Sequence, residues 1–152
     1  MTKNALEALI KHAGRMLEEH QVARIFKVPE DMVGTPCDFF GYTTAGRAIM
    51  IEAKFVSSRS ALPIGESPGL AKHQWNELGD ANRANVLALI AWRHKKEVAI
   101  ISMDMAIALS DRRRSIPWRQ ISDRYKHSPQ PSNWRALFRN FLTIPDHELE
   151  HR

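Results

Sequence analysis

Asp38-Phe39-Phe40-Gly41-Tyr42-Thr43-Thr44-Ala45-Gly46-Arg47-Ala48-Ile49-Met50-Ile51-Glu52-Ala53-Lys54 reads as a hairpin with reactive side chains at its open end. The apolar run Ala48 to Ile51 has the composition of a strand. Alternation along it puts Glu52 and Lys54 on one face and Ala53 on the other. Asp38 opens a second extended piece, Phe39 to Tyr42, and Thr43-Thr44-Ala45-Gly46 supplies the turn. A hairpin of this length brings Asp38 beside Glu52 and Lys54. Two carboxylates and an ammonium at one spot suit a hard divalent cation with a lysine next to its bound water. Solvent-facing strand carboxylates are the plainer alternative. Glu52 weighs against it, because it follows Ile49-Met50-Ile51 where burial should continue. A buried charge must be paired or metal-bound.

Working outward from the hairpin, Leu6, Leu9, Ile10, Ala13, Met16 and Leu17 recur at helical spacing, so residues near 3 to 20 are expected to form an amphipathic helix. Val22 to Val28 reads as a strand ended by Pro29, and 30–36 as a loop. Ser, Pro and Gly dominate 57–69, which is expected to hold no regular element and to be a mobile loop beside the site. A short helix is expected from about Pro68 through Leu78, with Gly79 near its end. Asn85 to Trp92 and Glu97 to Ser102 read as neighbouring antiparallel strands across the polar turn 93–96. Met103 to Ser110 reads as a helix, and two further helical pieces are expected near Trp118 to Tyr125 and Trp134 to Phe141. The order gives an α/β fold with a central mixed sheet of about five strands flanked by helices.

The 152 residues suit one domain with a sizeable core, divided into a core of about 3–103 and a basic helical extension of about 104–152. Hydrophobic residues at 43% and charged residues at 26% are ordinary for a globular chain. No apolar run approaches a membrane span, and the start of the sequence lacks a signal-peptide pattern. Cys37 is the only cysteine, which excludes an intramolecular disulfide and argues against a cysteine-built zinc site; a reducing, cytoplasmic setting fits. The formal charge of +5 favours a polyanionic partner.

Pro36-Cys37-Asp38, a spacer and Glu52-Ala53-Lys54 resemble the motif of the PD-(D/E)xK nucleases, with Cys37 standing between the proline and the acid. Leu6 to about Ile101, about two thirds of the 152 residues, resembles the RecU-type Holliday-junction resolvases and their phage relatives. The likeness rests on Leu6-Glu7, Asp38-Phe39-Phe40-Gly41, Ser60-Ala61-Leu62-Pro63, Ile51-Glu52-Ala53-Lys54, His73-Gln74 and the apolar strand after that helix. An E-x-K triplet alone is common; the ordered set is far more specific. One departure stands out. RecU-type enzymes carry a long stalk insertion before the motif aspartate, whereas only a short loop separates Pro29 from Asp38 here.

The resemblance implies a restriction-endonuclease-like fold and a homodimer that hydrolyses DNA phosphodiester bonds at branches. It implies Mg²⁺, with Mn²⁺ as a substitute, held by Asp38, Glu52 and the carbonyl of Ala53. Lys54 would orient the attacking water and offset charge building on the phosphate. Glu7 matches a helix glutamate aimed at the metal, although it sits at the flank of the apolar stripe, where a solvated glutamate is also at home. Gln74 would hold the lysine, a water or a phosphate, or else lie on the helix surface; His73 reads better as a surface or orienting residue. Arg59, Lys72, Arg93, Lys95 and Lys96 are candidate phosphate contacts, as are Arg112, Arg113 and Arg114 of the tail. Trp118, Tyr125, Trp134 and Phe138 could stack on unpaired bases, but amphipathic spacing favours core anchors. Two other functions share this sequence pattern. One is a phage-type nuclease acting on flaps, ends or single strands; the other is a DNA-binding protein that keeps the fold without catalysis.

Overall fold

Helix α1 (Lys3–Glu19) turns the stripe Leu6, Leu9, Ile10, Ala13 and Leu17 onto a sheet, as its periodicity requires. The structure, a computed structural model, describes residues 3–29, 37–110, 112 and 114–145. Strands β1 (Ala23–Lys27), β2 (Phe39–Thr43) and β3 (Ala48–Phe55) follow as an antiparallel meander, with Phe39 opposite Ile51 and Phe40 opposite Met50. Gly46 takes φ +88° in the β2–β3 turn, where its N–H donates to the Thr43 carbonyl. Gly41 is demanded by packing: a Cβ there would lie 1.9 Å from the Arg24 carbonyl oxygen of β1.

The short strand β4 (Ala61–Pro63) precedes helix α2 (Lys72–Arg83), which carries the chain across to β5 (Leu87–His94). β5 pairs parallel with β3, and β6 (Glu97–Ser102) returns antiparallel. Ser102 caps α3 (Met103–Leu109) by accepting from the Met105 N–H. The chain continues through β7 (Ser115–Pro117), β8 (Lys126–His127) and helix α4 (Trp134–Phe138), with single 3-10 turns at Trp118–Gln120, Asp123–Tyr125 and Pro131–Asn133.

The sheet runs β1-β2-β3-β5-β6-β8, six strands of mixed direction with helices on both faces, and β4 and β7 make a separate two-stranded piece. This is the expected α/β architecture. On one face Phe39, Ile49, Ile51, Ala53, Leu89 and Ala91 pack under α1 and α4; on the other Met50, Ile90, Trp92 and Ile101 pack under α2 and α3. Every residue of β5 is buried, as expected of a strand covered on both sides.

Five details differ from the sequence-based expectation. Residues 57–69 contain β4, whose partner β7 is a proline-ended edge strand that only the fold brings alongside. α2 starts at Lys72 and runs past Gly79 to Arg83, because Gly79 is buried where the helix meets Met103. The segment 118–125 holds two 3-10 turns instead of a helix. The sixth strand, β8, comes from this tail, since Lys126 and His127 pair with Ala99 and Val98 on the edge of β6. α4 stops at Phe138, short of the expected Phe141.

Candidate functional site

The ladder between β2 and β3 continues one residue past its last strand pair. The Asp38 N–H donates to the Ile51 carbonyl at 3.0 Å, and the Asp38 carbonyl accepts from the Val28 N–H at 2.8 Å. Asp38 is thereby held at the carboxyl end of β3, where its Oδ2 accepts from the Ala53 N–H at 2.8 Å. Glu52 is only 2% exposed. Its Oε1 accepts from Gln74 Nε2 at 3.0 Å and lies 3.4 Å from Lys54 Nζ. These partners offset the cost of burying a carboxylate.

Gln74 is oriented from both sides. Its Oε1 accepts from the Ala71 N–H at 2.9 Å, in the manner of a capping box at the start of α2, which turns the amide nitrogen toward Glu52. α2 therefore reaches the site from one face of the sheet. α1 reaches it from the other: Glu7, 5% exposed, puts Oε1 3.5 Å from Lys27 Nζ, and among the described residues that oxygen has no hydrogen-bond partner. The same ammonium lies 3.8 Å from Asp38 Oδ1. Glu7, Lys27, Asp38, Glu52, Lys54 and Gln74 thus form one linked group around the ends of three strands.

Lys27 is the member that sequence reading missed. A signal existed: alternation in β1 puts Lys27 on the same face as buried Ala23 and partly buried Ile25, where an apolar residue is expected. The anomaly is the one that singled out Glu52.

The donors suit a hard cation, being carboxylate and carbonyl oxygens without histidine. Cys37 supplies no thiolate; burial, then the nearby Glu52 charge, pushes its thiol up to about 11, so it stays protonated at neutral pH. Among the described residues no three His, Cys, Asp or Glu side chains group closely enough to hold an ion alone. A set of two carboxylates and a backbone carbonyl leaves positions for water, which is how Mg²⁺ is commonly bound. Glu7 meets this set through Lys27, whose ammonium lies between the Glu7 and Asp38 carboxylates. The residues fit the ion that the motif implies.

The other candidates fall into three groups. Lys72, Lys95, Lys96, Arg112 and Arg114 are exposed, as is His73, which has no part in the linked group. Arg59 is exposed and paired with Glu66 at 3.0 Å. Arg93 is a correction: at 5% exposure, with its Nε donating to the Lys95 carbonyl, it supports the β5–β6 turn and is not a surface phosphate contact. Arg113 lies outside the described residues. The tail aromatics are core anchors: Trp134 and Phe138 are buried, and Trp118 packs edge-on against Trp92 with ring centroids 4.9 Å apart.

No family model matches the chain, and no curated protein does. Among solved structures the chain is similar to Hjc, a Holliday junction resolvase from the archaeal hyperthermophile Archaeoglobus fulgidus, with a TM-score of 0.46 and 15% identity over 80% of this chain and 87% of that one.

Proposed function

We propose that the chain is a Mg²⁺-dependent DNA endonuclease acting on branched DNA, with the four-way junction as its principal substrate. The observation that carries this reading is the linked group itself: a buried Glu52 held by Lys54 and Gln74, with Asp38 hydrogen-bonded to the backbone of the intervening Ala53. Asp38, Glu52 and the Ala53 carbonyl would hold the ion, which when bound supplies Lewis acidity toward the scissile phosphate and acidifies water. Lys54 orients the attacking water and offsets charge as it builds on the phosphate oxygens. Gln74 keeps Glu52 in one orientation, and Lys27 does the same between Glu7 and Asp38. Arginine would not replace Lys54, since a planar fork cannot occupy the volume of a compact ammonium.

Symmetric branched DNA needs two opposed cuts, so we propose a homodimer, with one nuclease domain per chain. Exposed Lys72, Lys95, Lys96, Arg112 and Arg114 would contact phosphates and fix position without reading sequence. The test incubates folded protein with four-way junctions, flaps, duplex and single strands, with Mg²⁺ and with EDTA. Mg²⁺-dependent paired nicks on the four-way junction are expected. Preference for flaps or single strands would redirect the substrate assignment, and no cleavage of any DNA would overturn the nuclease reading.

A further inference from the structure

Among the described residues, nothing covers part of one face of the β1–β2 strand pair. Ile25, Phe39 and Gly41 turn toward α1, so Arg24, Phe26, Phe40 and Tyr42 face the other way. Phe26, Phe40 and Tyr42 are 44%, 47% and 44% exposed. Register sets Phe26 opposite Phe40 and Arg24 opposite Tyr42. The Phe26 and Tyr42 rings are 6.4 Å apart, and the Arg24 guanidinium stands 5.0 Å over the Phe26 ring while also meeting Glu18 at 3.4 Å. Three large aromatics exposed side by side on one strand pair call for a partner.

Two observations identify that partner. The first is continuity with the site. Phe40 pairs with Met50, which shares the face of Glu52 and Lys54, and Phe26 directly precedes Lys27. The aromatic strip therefore runs outward from the proposed metal corner along the same sheet face. The second is charge. The guanidinium over an aromatic ring suits a ligand offering both flat π faces and negative charge, whereas a wholly apolar partner would strip water from Arg24. Nucleotides offer both, and the chain carries +5 overall. Paired bases are already stacked within a duplex, so only unpaired nucleotides present free faces.

We propose that Phe26, Phe40 and Tyr42, with Arg24, form a stacking platform for unpaired nucleotides that flank the scissile phosphate. The proposal rests on the nuclease reading and narrows its substrate to DNA with unpaired bases beside the cut, at a branch point or a flap.

The test measures fluorescence anisotropy of a labelled oligothymidine, and of its counterpart with abasic residues, in EDTA so that nothing is cut. Wild type is expected to bind the abasic strand about 5–100-fold more weakly, the range for loss of one stacked base. Phe40→Ala and Phe26→Ala should weaken oligothymidine binding by a similar factor and leave the salt slope unchanged, because no phosphate contact is removed. Phe40→Trp should bind as wild type does. Equal wild-type affinity for the two strands would overturn the proposal without recourse to any variant. So would Phe40→Ala that binds normally but sediments as a smaller species than wild type, which would make the face a contact between copies of the chain. Cleavage by wild type in Mg²⁺ is read in parallel. Cutting without base dependence overturns the platform alone, and base-dependent binding without cutting overturns the nuclease reading alone.

Discussion

Glu52 is the residue on which the proposed chemistry turns, and its surroundings say what should happen when it changes. Glu52→Gln keeps the shape and a hydrogen-bond acceptor for Gln74 but removes a charge. Cleavage is expected to disappear while DNA binding persists, and Asp38→Asn should behave alike in gel-shift and cleavage assays. Gln74→Ala leaves the carboxylate without its orienting amide. A loss of about 10–100-fold in single-turnover rate is expected, the usual cost of removing a group that orients a metal ligand. Lys27→Met strands the buried Glu7 carboxylate and should cost about 1–3 kcal/mol of stability by urea denaturation. Adding Glu7→Gln should restore most of that loss, since a neutral amide needs no counter-charge. Three residues of this group, Asp38, Glu52 and Lys54, were legible because they sit at the ends of strands whose apolar pattern is clear. Lys27 was hidden by local context: a lysine before a proline-ended loop reads as a strand terminus, and its partners come from distant α1 and β2.

At the scale of elements, the close approach of β1 to β2 makes Gly41 a sharp probe. Gly41→Ala must push the Arg24 carbonyl away, and a loss of about 1–3 kcal/mol is expected in equilibrium unfolding. An unchanged midpoint would mean that β1 is freer to shift than its register implies. The elements easiest to read were those whose period and burial agree: α1, β2, β3, β5 and β6. The harder ones were decided by partners far away in sequence. β4 exists because Ala61 to Pro63 meets Ser115 to Pro117, and β8 because β6 offers an open edge. Trp118, Ile121 and Tyr125 have helix-like spacing, yet the chain there gives up helical hydrogen bonds to complete the sheet. Arg93 went the same way. The sequence shows four basic or polar residues in a row, 93–96, but β5 extends through His94 and draws the first two inside.

For the whole molecule, two helices from opposite faces of one sheet deliver Glu7 and Gln74 to the same strand ends. In this arrangement the proposed metal binding would be tied to the integrity of the fold. Mg²⁺ at about tenfold over its Kd should add roughly 1.4 kcal/mol of stability and raise Tm by about 3–6 °C. Asp38→Asn or Glu52→Gln should abolish the rise, and its survival in both variants would relocate the ion. With the proposed DNA binding, the positive charge should make affinity fall steeply with salt, and charge reversal at Lys95 and Lys96 should flatten that slope.

The most direct single measurement is single-turnover cleavage of a labelled four-way junction by wild type and Glu52→Gln, across a Mg²⁺ titration. Wild-type cutting that saturates with Mg²⁺, with Glu52→Gln bound to the same junction but inert, is the expected result. Wild-type protein that binds without cutting at any Mg²⁺ concentration, or Glu52→Gln that cuts at the wild-type rate, would contradict it.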